Sequence, residues 1–127
     1  MTNEELIQTA AARLNWKKTG DFLFADVACA LETEQGNVYT GVVLGTYIPL
    51  CAEQSAVAAM VTAGEYKIKK IVAVWQNEQG DLKILPPCGR CREFVKQVDN
   101  DNLQAEVILK DKVVKLEELL PYNNWFE

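Results

Sequence analysis

Histidine is absent from this 127-residue sequence. That one absence removes every His-based catalytic triad and every zinc site with imidazole ligands. A surplus of positive charge is also missing: the net charge is −5. This argues against a surface built to grip nucleic-acid phosphates and suits a protein that handles neutral or cationic small molecules. No stretch approaches the roughly 20 apolar residues needed to span a bilayer. The first helix-like segment, Met1 to Leu14, carries Glu4 and Glu5 and lacks the apolar core of a signal peptide. The expectation is a cytoplasmic protein with neither a membrane nor a nucleic acid as partner. Internal repeats and low-complexity segments are absent too, so residues 1–127 are expected to form a single domain.

What is present is ordinary globular composition, 49% hydrophobic and 24% charged. Leu6, Ile7, Ala10, Ala11 and Leu14 recur at helical spacing, which predicts an amphipathic helix over 3–14 with Asn3 as its cap. Asp21 to Leu31 and Asn37 to Leu44 read as strands joined by a turn at Glu34-Gln35-Gly36-Asn37. Gly45 and Pro49 interrupt the next stretch and make it a loop. Cys51 to Ala63 is alanine-rich and helical, with Gly64 as its stop. Ile68 to Trp75 is a strand, Leu82 to Leu85 a short apolar run, and Cys88 to Val98 a helix. Ala105 to Leu109 is a further strand, followed by a hairpin-like Lys110-Asp111-Lys112 and a short helix from Leu116 to Leu120. Strands alternating with helices predict an α/β fold, a three-layer α/β/α sandwich around a mixed sheet.

Four cysteines in a reducing compartment read as metal ligands or chemistry before disulfides. Two pieces concentrate them. Cys51-Ala52-Glu53 opens one predicted helix, and Pro87-Cys88-Gly89-Arg90-Cys91 opens the next. A Cys-x-x-Cys pair at a helix start can place both sulfurs on one metal, and the helix N-terminus favours the thiolate form. Three sulfurs leave the fourth tetrahedral position of a zinc ion open, the mark of a catalytic site. Glu53, two residues after the first ligand, is placed to move protons to and from a water held there. This layout is known from zinc deaminases that attack the amine-bearing carbon of a cytosine ring.

The two pieces, Cys51-Ala52-Glu53 and Pro87-Cys88-Gly89-Arg90-Cys91-Arg92, resemble the zinc motifs of the cytidine deaminase family. Val27-Ala28-Cys29-Ala30-Leu31, Gly36 and Tyr39-Thr40-Gly41-Val42 resemble that family's opening hairpin. Glu118-Leu119-Leu120-Pro121, Tyr122 and Trp125 are similar to its blasticidin S deaminase branch, as is Arg90. The resemblance implies a cytidine deaminase-like fold, a zinc ion on Cys51, Cys88 and Cys91, and Glu53 as the proton carrier. It implies a small-molecule substrate bearing a cytosine-type amine, from a nucleoside or a nucleoside antibiotic. The backbone groups of Ala52 and Pro86 would bind the base edge, with Tyr122 and Trp125 walling the pocket. A homotetramer with active sites near subunit boundaries is implied as well. One departure is plain: the family's nucleoside enzymes carry Asn-x-Glu for the ribose hydroxyls where this chain has Val43-Leu44-Gly45.

Other readings of the same residues stand beside these. Cys88 and Cys91 also fit a thiol oxidoreductase. Cys29 can complete a closed four-cysteine structural zinc in a non-catalytic module, or it is a small core residue. Glu53 is also an ordinary first-turn acid. Arg90 is either solvated or donates to a sulfur and offsets the excess negative charge of three thiolates. Pro86-Pro87 also serves as a rigid lead-in to the helix. Phe24 is expected in the core rather than stacked on the ring, and Tyr122, Trp125 and Phe126 also suit anchoring of the tail by burial. The alanine face Ala52, Ala56, Ala59 and Ala63 suits close packing.

Overall fold

The computed structural model describes residues 1–124. Its first helix, α1 (Asn3–Ala11), is capped by Thr2, one residue ahead of the expected Asn3. Thr2 Oγ1 accepts from Glu5 N–H at 3.1 Å while Glu5 Oε1 accepts from Thr2 N–H at 2.9 Å. This reciprocal pair satisfies two otherwise orphaned amides. The helix ends before Leu14, and the amides of Arg13 and Leu14 bond back only three residues, tightening the chain into a turn.

The hairpin of the expected strands is present as β2 (Phe22–Thr33) and β3 (Val38–Gly45). Gly36 sits in the turn at φ 87°, a left-handed backbone that glycine adopts without steric cost. On its other side β2 pairs antiparallel with β4 (Ile68–Gln76), and β4 runs parallel to β6 (Glu106–Ile108). Three short strands complete a mixed seven-stranded sheet and were not anticipated as strands: β1 (Lys17–Thr19), β5 (Leu82–Leu85) and β7 (Val113–Lys115). Each is three or four residues at a hairpin end, too short for an alternating pattern to declare itself.

Along β2 the side chains alternate in space. Ala28 and Ala30 join Val72 and Val74 against Leu6 and Ala10 of α1. Cys29 and Leu31 face the other way, into a core with Val57 and Met60 of α2 (Ala52–Thr62) and Val95 of α3 (Gly89–Val98). One helix on one face and two on the other give the three-layer α/β/α sandwich that the sequence predicts. Cys29 is fully buried there, as expected of a core residue. Among the described residues, no helix is long and apolar enough to cross a membrane.

Gly41 sets how closely α2 lies on the sheet. A Cβ at this position would lie 2.3 Å from Ala56 N and 2.6 Å from the Ser55 carbonyl carbon, so only glycine admits the helix backbone. Ala52 and Ala56 are buried at this seam, whereas Ala59 and Ala63 face outward, so the alanine face is only half a packing face. Gly41→Ala is expected to lower unfolding free energy by about 1–3 kcal/mol through overpacking, read as a shifted urea midpoint.

At the far end of α2 the buried Glu65 carboxylate accepts from Tyr39 O–H at 2.7 Å and Asn37 Nδ2–H at 2.9 Å. The Tyr39 bond, followed by contributions from Thr33 and Asn37, holds the Glu65 carboxyl below its ordinary range, and the same bond raises the Tyr39 phenol. The Glu65 contribution to stability is therefore complete above the unfolded carboxylate pKa and lost as pH falls through the lower folded value. The Tyr39 contribution is complete below the ordinary phenol pKa and lost as pH rises through the raised one. Glu65→Gln should flatten the acid limb of stability against pH in thermal melts at a series of pH values, with little change in slope near neutrality.

Candidate metal centre

Two helices begin beside one another. Leu44 and Leu50 exchange backbone hydrogen bonds at 3.0 and 3.1 Å, which close the 45–50 loop and deliver the chain to Cys51. Cys51 is the N-cap of α2 and Cys88 the N-cap of α3, both in extended backbone, and Cys91 is the third residue of α3. The three Sγ atoms lie within 4.8 Å of one another. Zinc–sulfur bonds of about 2.3 Å at tetrahedral angles place sulfurs about 3.8 Å apart, within reach of small side-chain rotations. Cys91 is buried, Cys51 half-buried and Cys88 exposed, so the group opens to one side. Cys29 is not among the clustered sulfurs, and a closed four-cysteine site is not assembled.

The charges in this corner favour a cation. Burial, then the charge of Glu53, pushes the Cys91 thiol far above its ordinary range. Burial also raises Cys51. Burial pushes Cys88 upward as well, but the backbone amide and thiol of Cys91, the Arg90 amide and the Cys51 thiol outweigh it and bring it below its ordinary value. Glu53 is only 7% exposed, and burial raises its carboxyl although its own backbone amide partly opposes this. Thiolates and a carboxylate confined together in low dielectric repel, and a divalent ion relieves them. The donor set and its electrostatics thus fit a thiolate-binding metal, and this group can hold one.

Glu53 lines a narrow, mostly apolar crevice with Ala73, Leu85, Pro87, Cys91 and Arg92. Ala52 is buried at the start of α2, while Pro86 is exposed and Pro87 buried at the lead-in to α3. Arg90 donates from Nη2 to Pro49 O and to Gln54 Oε1, both at 3.3 Å, where a bond to sulfur was one of the expectations. Oxygen is the better acceptor, and both oxygens lie on the facing helix start. Arg92 donates to Pro87 O at 2.8 Å and to Leu119 O at 3.1 Å, bracing the proline lead-in and the C-terminal segment. Phe24 is half-buried opposite Leu44. Tyr122 is fully exposed, so burial does not anchor it in this chain, and Trp125 and Phe126 lie outside the described residues. Gln54 went unrecognised in the sequence, although glutamine three residues after a helix cap is the reciprocal position of a capping box.

Comparison with known proteins follows the same line. No family model matches the chain. It is 28% identical to blasticidin-S deaminase of Bacillus cereus, over 92% of this chain and 88% of that one. It is 33% identical to the cytidine deaminase of Mycoplasma genitalium over 58% of this chain and 56% of that one. The crystal structure of cytidine deaminase from Burkholderia pseudomallei superimposes with a TM-score of 0.76, at 25% identity, covering 96% of this chain and 98% of that one. The chain is thus similar in sequence to a blasticidin-S deaminase and a cytidine deaminase, and in fold to a cytidine deaminase. That structure's fold accordingly matches the observed sandwich over nearly its whole length.

Metal titration checks the site. Saturating zinc, at about 100 times its dissociation constant, should stabilise wild type and Cys29→Ser alike by about 2.7 kcal/mol. Cys51→Ser and Cys91→Ser should lose most of that gain. Equal loss in Cys29→Ser would restore the closed site.

Proposed function

We propose that this protein is a zinc-dependent hydrolytic deaminase acting on the ring amine of a small cytosine-type substrate. The observation that carries this reading is a buried carboxyl, Glu53, set beside three clustered sulfurs but outside their group. Cys51, Cys88 and Cys91 would hold the zinc, which supplies the Lewis acidity that brings water's acidity toward neutral pH. Glu53 takes a proton from the attacking water and gives it to the ring nitrogen beside the amine-bearing carbon. It then takes the second proton from the hydroxyl gained by the ring and passes it to the amine, which departs as ammonia. Burial raises the Glu53 carboxyl, which suits a group that must hold a proton between two transfers. Pro86 lacks an N–H but keeps its carbonyl, so it can accept from the substrate amine, and Ala52 offers its backbone amide. Tyr122 and Trp125 are assigned to the pocket wall by family resemblance alone.

The substrate we favour is a nucleoside antibiotic of the blasticidin S kind over cytidine. The match to blasticidin-S deaminase runs nearly the length of both chains. A Cβ at Gly45 would lie 2.3 Å from Leu23 O, so no carboxylate side chain fits there unless β2 shifts. A ribose hydroxyl buried without a partner costs about 1–3 kcal/mol. We also assign a homo-oligomer, a tetramer by resemblance, which would cover the exposed Tyr47, Ile48 and Tyr122. A thiol oxidoreductase shares the lowered Cys88 thiol, but leaves Cys51 beside the pair without a role.

Ultraviolet-monitored deamination tests the reading, with cytidine, deoxycytidine, cytosine and blasticidin S offered to zinc-loaded wild type and Glu53→Gln. Turnover of blasticidin S is expected, reduced about 10²–10⁴-fold in the variant. No turnover of any of the four by zinc-loaded wild type would overturn the assigned substrate class.

A further inference from the structure

We propose that Gln54 is a positioning residue for the metal site, tying the two ligand-bearing helix starts together through Arg90. The inference rests on the zinc reading above and adds what keeps the ion in place. Gln54 is 4% exposed, in the first turn of α2. Its Oε1 accepts from Cys51 N–H at 3.2 Å and from Arg90 Nη2 at 3.3 Å. The same Nη2 also donates to Pro49 O at 3.3 Å. A carboxamide oxygen has two lone pairs and a guanidinium –NH₂ two hydrogens, so both groups are fully engaged.

The connectivity gives these bonds their consequence. Cys51 and Pro49 flank the start of α2, and Arg90 lies between Cys88 and Cys91 in the first turn of α3. The Arg90 bonds to Gln54 and Pro49 therefore join one ligand-bearing turn to the other, while the Cys51 N–H bond holds the Gln54 acceptor in place within α2. The helices also share a core through Val57, Met60 and Val95, farther along each helix from the sulfurs, and through Ala52 at the start of α2. An ion bound by ligands from two elements escapes when one turn moves away from the other, and this bridge opposes that motion. Partners that orient ligands in this way typically govern metal affinity 10- to 100-fold.

Zinc release to excess chromogenic chelator tests the bridge, using the full chain loaded with one equivalent. Gln54→Leu and Arg90→Gln should each release zinc about 10-fold faster than wild type or more. The double variant should release no faster than the faster single one, because both remove the same link. Gln54→Glu keeps the acceptor and pairs with Arg90, so its release should stay near wild type. The cobalt-loaded forms should show altered ligand-field bands in Gln54→Leu and wild-type-like bands in Gln54→Glu, while apo-protein melting changes little. Arg90 is exposed, so Arg90→Gln carries the test even if Gln54→Leu fails to fold. Wild-type release rates in Arg90→Gln, or additive effects in the double variant, overturn the bridge while leaving the metal site intact. A wild-type chain that takes up no zinc overturns both.

Discussion

The close seating of α2 on β3 is the constraint on which the sulfur group depends. At Gly41 a helix backbone comes within the distance that any side chain would occupy, which fixes the height of α2 above the sheet. The Leu44–Leu50 backbone pair then brings the chain up from β3 to Cys51 with a loop too short to wander. Across the gap, the buried Pro87 and the Arg92 bond to its carbonyl fix the start of α3. Neither helix start is placed by its intrahelical ladder alone. Each is placed by what lies beneath it, and their convergence is what brings Cys51 to Cys88 and Cys91.

Convergence has an electrostatic cost that points to function. Glu53 and Cys91 are both buried; burial raises the Glu53 carboxyl, and burial followed by the charge of Glu53 disfavours the Cys91 thiolate. A stable core has no reason to gather such groups, since burying a charge without compensation is expensive. The helix N-termini offset part of it with their free amides, and a bound cation can offset the rest. In the proposed reaction, the same burial that makes the corner costly suits Glu53 to carry a proton. Strain and capability therefore have one source here.

Much of this was legible in the residue order. The β2–β3 hairpin, the two helix starts at Cys51 and Cys88 and the paired motifs follow from local periodicity, turn glycines and spacing. The three shortest strands were not, because Lys17–Thr19, Leu82–Leu85 and Val113–Lys115 pair only by proximity to longer neighbours. Helix α1 stops short of the apolar Leu14 because the backbone turns there, a choice that the side-chain pattern does not encode. The acceptors of Arg90 were equally hidden, since Pro49 and Gln54 are 41 and 36 residues away in the chain.

The sequence alone determined the donor chemistry: no histidine, three cysteines in two helix-opening motifs, and a glutamate two residues from the first. These are matters of residue type and short spacing, which survive any arrangement of the chain. Tertiary structure decided which cysteine stands apart, how deeply Glu53 is buried and what the arginine between Cys88 and Cys91 holds. Cys29 and Cys51 are both on elements next to the site, yet the strand pleat turns Cys29 into the core while the helix start turns Cys51 toward its partners. Such outcomes depend on distances between segments far apart in sequence, and only the packing of helices on a sheet sets those distances.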